Sequence, residues 1–418
     1  MLFVLRNSWA LLLGMMLLLL GNGLQGTLLG IRGAIEGFPA STMAWVMSAY
    51  YVGFLFGTRR VATMIRRVGH VRVFSALASL VSAAFILYAV APSPPLWIAL
   101  RLLVGFCFAG LYVVAESWLN EAATNETRGQ ALSLYMVVQM VGIISAQALV
   151  NFADPSGYTL FIIMSVLVSV SFAPILLTVS AAPAYQTTQP MTLRELFAIS
   201  PLGCIGTFVL GGVYAAIFGM ASVFGTSRGL SVSQISVFVA AIYFGGLVCQ
   251  FPIGWASDRM DRRVLIAGLT AFGALVTAFA FVMPDPLWLL LVVAFLIGGV
   301  ANPLYALLIA YTNDFLEHAD MAAASGGLLF INGLGAVSGP FVIGWLMTRF
   351  GADGYFLFLA VLFAAVAAYA LWRMTRRAAP PIDRTSPYAP VLSQASPVAM
   401  AVAQEVAIGW ADAAAKPD

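Results

Sequence analysis

Charged residues make up only 9% of this 418-residue chain, so a charge set inside an apolar stretch is a candidate for chemistry. Arg101 in IALRLLVG and Glu116 in VVAESWLN are two such residues. A charge at the centre of a membrane helix costs about 2.5–3.5 kcal/mol on insertion scales, so it normally faces a cavity or a partner. Arg101 could bind an anionic substrate there or take part in proton coupling. The plainer reading is that it snorkels to the headgroups near Leu96. Glu116 could titrate and couple protons, or cap neighbouring helices with Asn120 and Arg128. The two lie fifteen positions apart, ~22 Å along a helix at 1.5 Å per residue, too far to pair directly.

The densest charge cluster is GWASDRMDRR, Gly254 to Arg263, set between two long uncharged apolar stretches. So much charge in so apolar a chain marks a membrane exit. Asp258, Arg259, Arg262 and Arg263 either grip the two adjoining helices or form a solvated turn. Cys107, Cys204 and Cys249 all fall in apolar segments, and with only His70 and His318 besides they imply neither a disulfide framework nor a metal site. The glycine pairs Gly211-Gly212, Gly298-Gly299 and Gly326-Gly327 permit close helix approach. No phosphate loop, nucleotide fold or catalytic triad is visible, so the sequence implies no cofactor, no enzyme activity and no direct use of ATP.

These residues must be positioned by membrane helices. Hydrophobic residues make up 61% of the chain and its mean hydropathy is +0.96, beyond the roughly 45–50% apolar share of soluble domains. A spanning helix needs ~20 mostly apolar residues, and the runs are too long for barrel strands. The expected fold is an all-α integral membrane protein with spans near 8–30, 41–60, 71–91, 96–118, 129–150, 158–180, 202–224, 234–255, 264–283, 287–313, 322–347 and 354–373. The first is a span rather than a signal peptide, because its apolar stretch is long and no small-residue cleavage site follows.

Of the 20 basic residues, Arg32, Arg228 and Arg349 fall on one side of these twelve spans and Arg101 within one; the rest fall on the other. By the positive-inside rule the rich side is cytoplasmic and both termini lie there. The net charge of +3 follows from this topology and implies no nucleic-acid partner.

The polar stretch from Ala181 to Arg194 divides the spans six and six. The expected organisation is an N-terminal bundle over 1–180, a cytoplasmic linker over 181–200, a C-terminal bundle over 201–375 and a disordered cytoplasmic tail over 376–418. The halves look related: a shift of 192 positions matches Gly37 with Gly229, Tyr51 with Tyr243, Gly53 with Gly245 and Arg67 with Arg259. Two parallel halves around a midplane site are a solution for alternating access. Asn302-Pro303 in the tenth span should interrupt its hydrogen-bond ladder; with Tyr305, Asn22 and Gln25 it could line the cavity. The tail after Arg377 is Ala-, Pro- and Ser-rich and too poor in apolar surface to fold alone; a short surface helix over Val398 to Trp410 is the weighed alternative.

The loop Gly254 to Arg263 and the element Arg101-Leu-Leu-Val-Gly105 resemble motifs of the major facilitator superfamily. VVAESWLNEAATNETRGQALSLYMVVQMVG and GLVCQFPIGWASDR resemble its YcaD-like branch of transporters, a likeness covering about residues 1–375. The resemblance implies two pseudo-symmetric six-helix bundles whose first, fourth, seventh and tenth spans face a cavity, which adds Tyr112 and Tyr214 to its lining. It also implies that Asp258 meets the start of the fifth span near Arg128 and Gly129, where a helix dipole stabilises a carboxylate by ~0.3–1 kcal/mol when exposed. Two departures stand out. The equivalent first-half loop has Arg66 where Asp258 is expected, and the Gly-Pro antiporter signature is absent from the fifth span, although Gly335 to Gly344 in the eleventh resembles it. Arg66 or Arg67 is therefore expected to pair with Asp314, Glu317 or Asp320 of the acidic loop after the tenth span.

The leading reading is a monomeric, multi-pass protein of the bacterial inner membrane that moves a small organic solute by alternating access, driven by protons. Its partners are the solute, the coupling protons and the lipid bilayer. A non-transporting receptor or assembly factor and a lipid or amphiphile translocator are the alternatives. Removing residues 378–418 should leave a transporter's flux intact and disable a scaffold.

Overall fold

The computed structural model describes residues 2–123, 127–174, 191–282, 286–376, 385–391 and 395–415. Among them the chain is helical, without strands. The first half holds α1 (Leu2–Ile35), α2 (Ala40–Val68), α3 (His70–Val90), α4 (Pro94–Ala122), α5 (Arg128–Leu149) and α6 (Thr159–Ser171). Then come α7 (Leu193–Ile199), α8 (Pro201–Tyr214), a π-helical turn (Ala215–Met220), α9 (Ala221–Ser227), α10 (Val232–Ser257), α11 (Arg262–Val282), α12 (Leu287–Asn313), α13 (His318–Phe350), α14 (Gly354–Met374) and α15 (Pro397–Ala415).

Ten of the helical stretches are long and apolar enough to cross a membrane, among them Pro201–Ser227, which joins α8, the π-helical turn and α9. The other two spans are α2, whose final turns carry Arg59, Arg60, Arg66 and Arg67, and α6, a shorter apolar helix over its described residues. The twelve form two bundles of six. Most of the linker, including residues 181–190, lies outside the described residues. Its end is α7, started by a capping box in which Thr192 and Glu195 satisfy each other's backbone N–H.

Inside each bundle the closest helix pairs are set by glycine. A Cβ on Gly53 of α2 would lie 1.9 Å from the Leu102 carbonyl oxygen, and one on Gly105 of α4 would lie 2.0 Å from that of Tyr50. The second half repeats this between α10 and α12, where a Cβ on Gly245 would sit 1.9 Å from the Phe295 oxygen and one on Gly298 1.8 Å from that of Ile242. The matched turn glycines Gly37 and Gly229 have φ of 76° and 77°, a left-handed conformation that glycine adopts without a Cβ penalty. The internal repeat is thus a repeat of backbone contacts.

The two basic residues that end the first and seventh spans away from the arginine-rich end are structural. Arg32 pairs with Glu36 at 2.7 Å and donates to the Pro155 and Ser156 carbonyls between α5 and α6, while Arg228 pairs with Asp353 between α13 and α14. Each staples a loop in its own half.

At that end the halves touch directly. Ser222 Oγ donates to the Gly26 carbonyl at 3.3 Å, Ser48 Oγ to that of Val337 at 2.9 Å, and Asn151 Nδ2 to Ser236 Oγ at 2.9 Å. At the arginine-rich end the arrangement differs. Arg59 of α2 lies 4.3 Å over the Phe330 ring of α13, while α15 packs against α4 and α5 on one side and α13 on the other. This corrects the expectation of a disordered tail. Most helical stability in proteins comes from packing rather than from propensity, and here Ala399, Met400, Val402, Ala403 and Ala407 are buried against apolar walls that the two bundles supply. The alternative of a surface helix anticipated the helix but not its place.

In the tenth span Pro303 takes one N–H out of the hydrogen-bond ladder without ending the helix. Helix α12 continues through Pro303, and Asn302 Nδ2 donates to the Gly298 carbonyl of its own helix at 3.2 Å. The irregular backbone is instead the π-helical turn of the seventh span, a distortion often found at functional sites.

Candidate functional site

The π-helical turn brings Ile217 and Phe218 to a central cavity between the halves. The first half contributes Asn22 and Thr27 from α1, Tyr50, Tyr51 and Phe54 from α2, and Arg101 from α4; facing them are Tyr214, Tyr243 and Asn332. The cavity is about 80 Å³, room for several waters at about 10–15 Å³ each. Tyr214, Phe218 and Tyr243 form one wall as a continuous stack, with centroids 5.3 and 5.2 Å apart and both interplanar angles 11°. Tyr214 is fixed by donating to the Ala301 carbonyl at 3.1 Å.

Arg101 is the cationic group of this cavity and is only 5% exposed. Its Nη1 donates to Gln25 Oε1 at 3.0 Å, its Nη2 lies 3.6 Å from Met47 Sδ, and its Cζ stands 4.7 Å over the Tyr50 ring. Its Nε has no hydrogen-bond partner, and among the described residues no carboxylate pairs with it. An amide, a thioether and an aromatic face orient the guanidinium without neutralising it. Arginine's planar fork suits carboxylate and phosphate oxygens. The snorkelling alternative does not hold.

The expected lining is only partly right. Asn22 and Tyr214 line the cavity, and Gln25, fully buried, stands behind Arg101. Tyr112 packs on Phe54 and Phe108 instead. Asn302 lies in the α10–α12 contact, where a Cβ on Gly246 would meet its amide at 2.4 Å. Tyr305 is edge-on to Tyr214 and faces the tail through Met400 Sδ at 3.9 Å. Among the lining residues that went unnamed are Thr27, Tyr50, Tyr51, Phe54, Phe218, Tyr243 and Asn332. One signal pointed to two of them: the 192-residue repeat pairs Tyr51 with Tyr243, and both line the cavity.

Glu116 is buried deeper toward the arginine-rich end. It accepts hydrogen bonds from Tyr135 Oη at 3.3 Å and from the Ser396 backbone N–H at 2.8 Å. Its partners are thus a neighbouring helix and the tail, whereas Arg128 pairs with Glu405 at 3.2 Å.

Around the charged loop the hub is Arg262, which is 3% exposed. It donates to Ser257 Oγ at 3.0 Å and to the Ala310 carbonyl at 3.2 Å, pairs with Asp314, contacts Asp258 at 3.3 Å, and donates to the Ser386 carbonyl of the tail. Burial pushes the Asp314 carboxyl up to about 6, against the opposing pull of Arg262 and the Ser386 N–H, with Asp258 adding to the rise. Asp258 accepts the Tyr388 N–H at 2.8 Å and lines one cleft together with Gly129 of α5 and Pro387, Tyr388 and Pro390 of the tail. Arg263 holds Asp261 at 2.7 Å, and exposed Arg259 lies 4.4 Å over the Trp255 ring.

The expected pairing of Arg66 or Arg67 with the acidic loop is absent among the described residues. Arg66 donates to Thr63 on its own helix at 3.3 Å, Asp314 is taken by Arg262, and Asp320 and Glu317 are exposed. Buried Arg262 outcompetes surface arginines for Asp314, because it holds the carboxylate where solvent does not screen the pair.

The sequence matches the family model described as Major Facilitator Superfamily over residues 11–224 and again over 202–411. It is 26% identical over 358 residues to the MFS-type transporter YcaD of Escherichia fergusonii, covering 85% of this chain and 92% of that protein. To YcaD of Salmonella heidelberg it is 25% identical over 359 residues, with the same coverage. Solved structures share the fold. A variant of the nucleoside transporter NupG has a TM-score of 0.77 at 16% identity over 88% of this chain and 99% of its own. For a D-xylose-proton symporter the TM-score is 0.69 at 14% identity, over 92% and 99%.

Proposed function

Because the chain belongs to the major facilitator superfamily, we propose that it is a secondary transporter that carries a small organic anion across the membrane by alternating access. The observation that carries the substrate class is Arg101, a buried guanidinium at the cavity whose contacts are Gln25, Met47 and Tyr50 and, among the described residues, include no carboxylate. The stacked wall of Tyr214, Phe218 and Tyr243 suits an apolar or aromatic body attached to the anionic group. The arginine-rich end is the cytoplasmic one, both termini lie there, and a single chain in a bacterial inner membrane suffices, because the cavity lies within one protomer. Proton coupling falls to Glu116, a buried carboxyl between the cavity and the arginine-rich end.

Proteoliposomes with an internal pH dye, challenged with small organic acids and with neutral solutes of similar size, test this reading. The expected result is a signal for one or more acids that falls at least tenfold in Arg101→Ala. A neutral solute carried equally well by wild type and variant would overturn the anion assignment. The ordered tail is one observation that a non-transporting receptor would share; solute-dependent flux in any form of the protein excludes that alternative.

A further inference from the structure

We infer that residues 385–391 and 395–415 form a built-in plug that fills the arginine-rich mouth of the cavity and must leave before a solute can pass. Their contacts fall on both halves. On the second half, the Ser386 N–H donates to Asp314 at 2.9 Å, the Tyr388 N–H to Asp258 at 2.8 Å, and Gln250 Nε2 to Tyr388 Oη at 3.0 Å. Gly254 leaves room for the Tyr388 ring, whose atoms would stand 2.8 Å from a Cβ there. Asn313 Nδ2 donates to Gln404 Oε1 at 3.0 Å. On the first half, Glu116 accepts the Ser396 N–H and Arg128 pairs with Glu405. Between these anchors Met400 lies over Tyr305, the residue edge-on to the cavity wall.

A segment so placed blocks the solute's path and also keeps the bundles from closing there. Asp258, Gly129, Pro387, Tyr388 and Pro390 line one cleft there, and Asp258 is engaged by the Tyr388 N–H. The plug therefore holds the protein in the state closed at the opposite end by the Ser222, Ser48 and Asn151 contacts. It is also built to leave. A cavity of about 290 Å³ remains between α5 and the segment, whereas a true core keeps few voids larger than a water. The Arg128–Glu405 pair is partly exposed, with Glu405 at 52%, and exposed pairs hold weakly.

Occupancy of the mouth does not depend on the transport reading, whereas the effect on flux rests on it, and the test separates the two. Asn313→Cys, in a chain whose three native cysteines are replaced by Ala, is labelled with a charged maleimide. In the full chain labelling is expected to be slow, and in a chain ending at Arg377 at least tenfold faster. A synthetic peptide of residues 385–415 should restore protection to the shortened chain. If that chain fails to fold, Met400→Asp in the full chain sets a charge against Tyr305 and should expose the introduced thiol similarly. Equal labelling with the tail present, absent or displaced overturns the plug. Faster labelling with unchanged solute flux overturns its control of transport. Faster labelling with no flux in any form leaves the plug standing and refutes the transport reading. This reverses the expectation that removing residues 378–418 spares flux: a severalfold gain is expected.

Discussion

At the scale of single residues, burial decides which charges matter. Arg101 and Arg262 are both arginines in apolar surroundings, yet one faces a cavity with no counter-charge among the described residues and the other closes a network on Asp314 and the tail. Their positions within or beside apolar stretches were legible in the sequence. Their partners were not, because Asp314 lies fifty-two positions from Arg262 and no local pattern links them. Asp314 makes the difference measurable. Its folded pKa of about 6 lies above the ~3.9 of an unfolded aspartate. Between about pH 4 and 6 the folded chain therefore keeps a proton that the unfolded chain has released, and this group's contribution to stability falls as pH rises through that window. Asp314→Asn has no such equilibrium. The unfolding temperature of wild type, relative to that variant, should therefore decline from pH 4.5 to pH 7; a constant difference would show that Asp314 titrates alike in both states.

At the scale of elements, the twelve spans were legible because each needs a long apolar run, and α2 was found despite its arginines because they cluster at one end. The glycine matches of the repeat carried more than similarity. Gly53 and Gly245 are the points where backbone meets backbone, so Gly53→Ala or Gly245→Ala must part α2 from α4, or α10 from α12. Overpacking of this kind costs about 1–3 kcal/mol, with a lowered unfolding temperature. Gly268→Ala in α11, where an added Cβ meets nothing within 4 Å, should be neutral or slightly stabilising, since Ala favours helix by about 1 kcal/mol over Gly. Equal effects at the two kinds of site would refute the close-contact explanation. The π-helical turn and the burial of α15 escaped the sequence for a shared reason: both depend on tertiary surroundings. Residues 397–415 taken alone are too poor in bulky apolar groups to order themselves, and the surface that orders them comes from helices far away in sequence.

At the scale of the whole molecule, the two ends are closed by different means, direct contact at one and a wedge at the other. Direct contact can be trapped. With Asn151→Cys and Ser236→Cys in a chain otherwise free of cysteine, a short cleavable dithiol cross-linker should stop solute flux while leaving solute binding from the arginine-rich end, and reduction should restore flux. Flux that persists through the cross-link would mean these contacts need not open. The wedge obeys another rule, because it stays attached to the chain: Thr385 returns to the mouth nine positions after Arg376, close to the end of α14. A tether this short sets a local concentration of order 1 mM. A tail with an intrinsic Kd as weak as ~0.1 mM would thus fill its site about nine-tenths of the time. A solute approaching from that side then competes with a tethered ligand, and its apparent affinity would be weakened about tenfold without any change in the cavity itself.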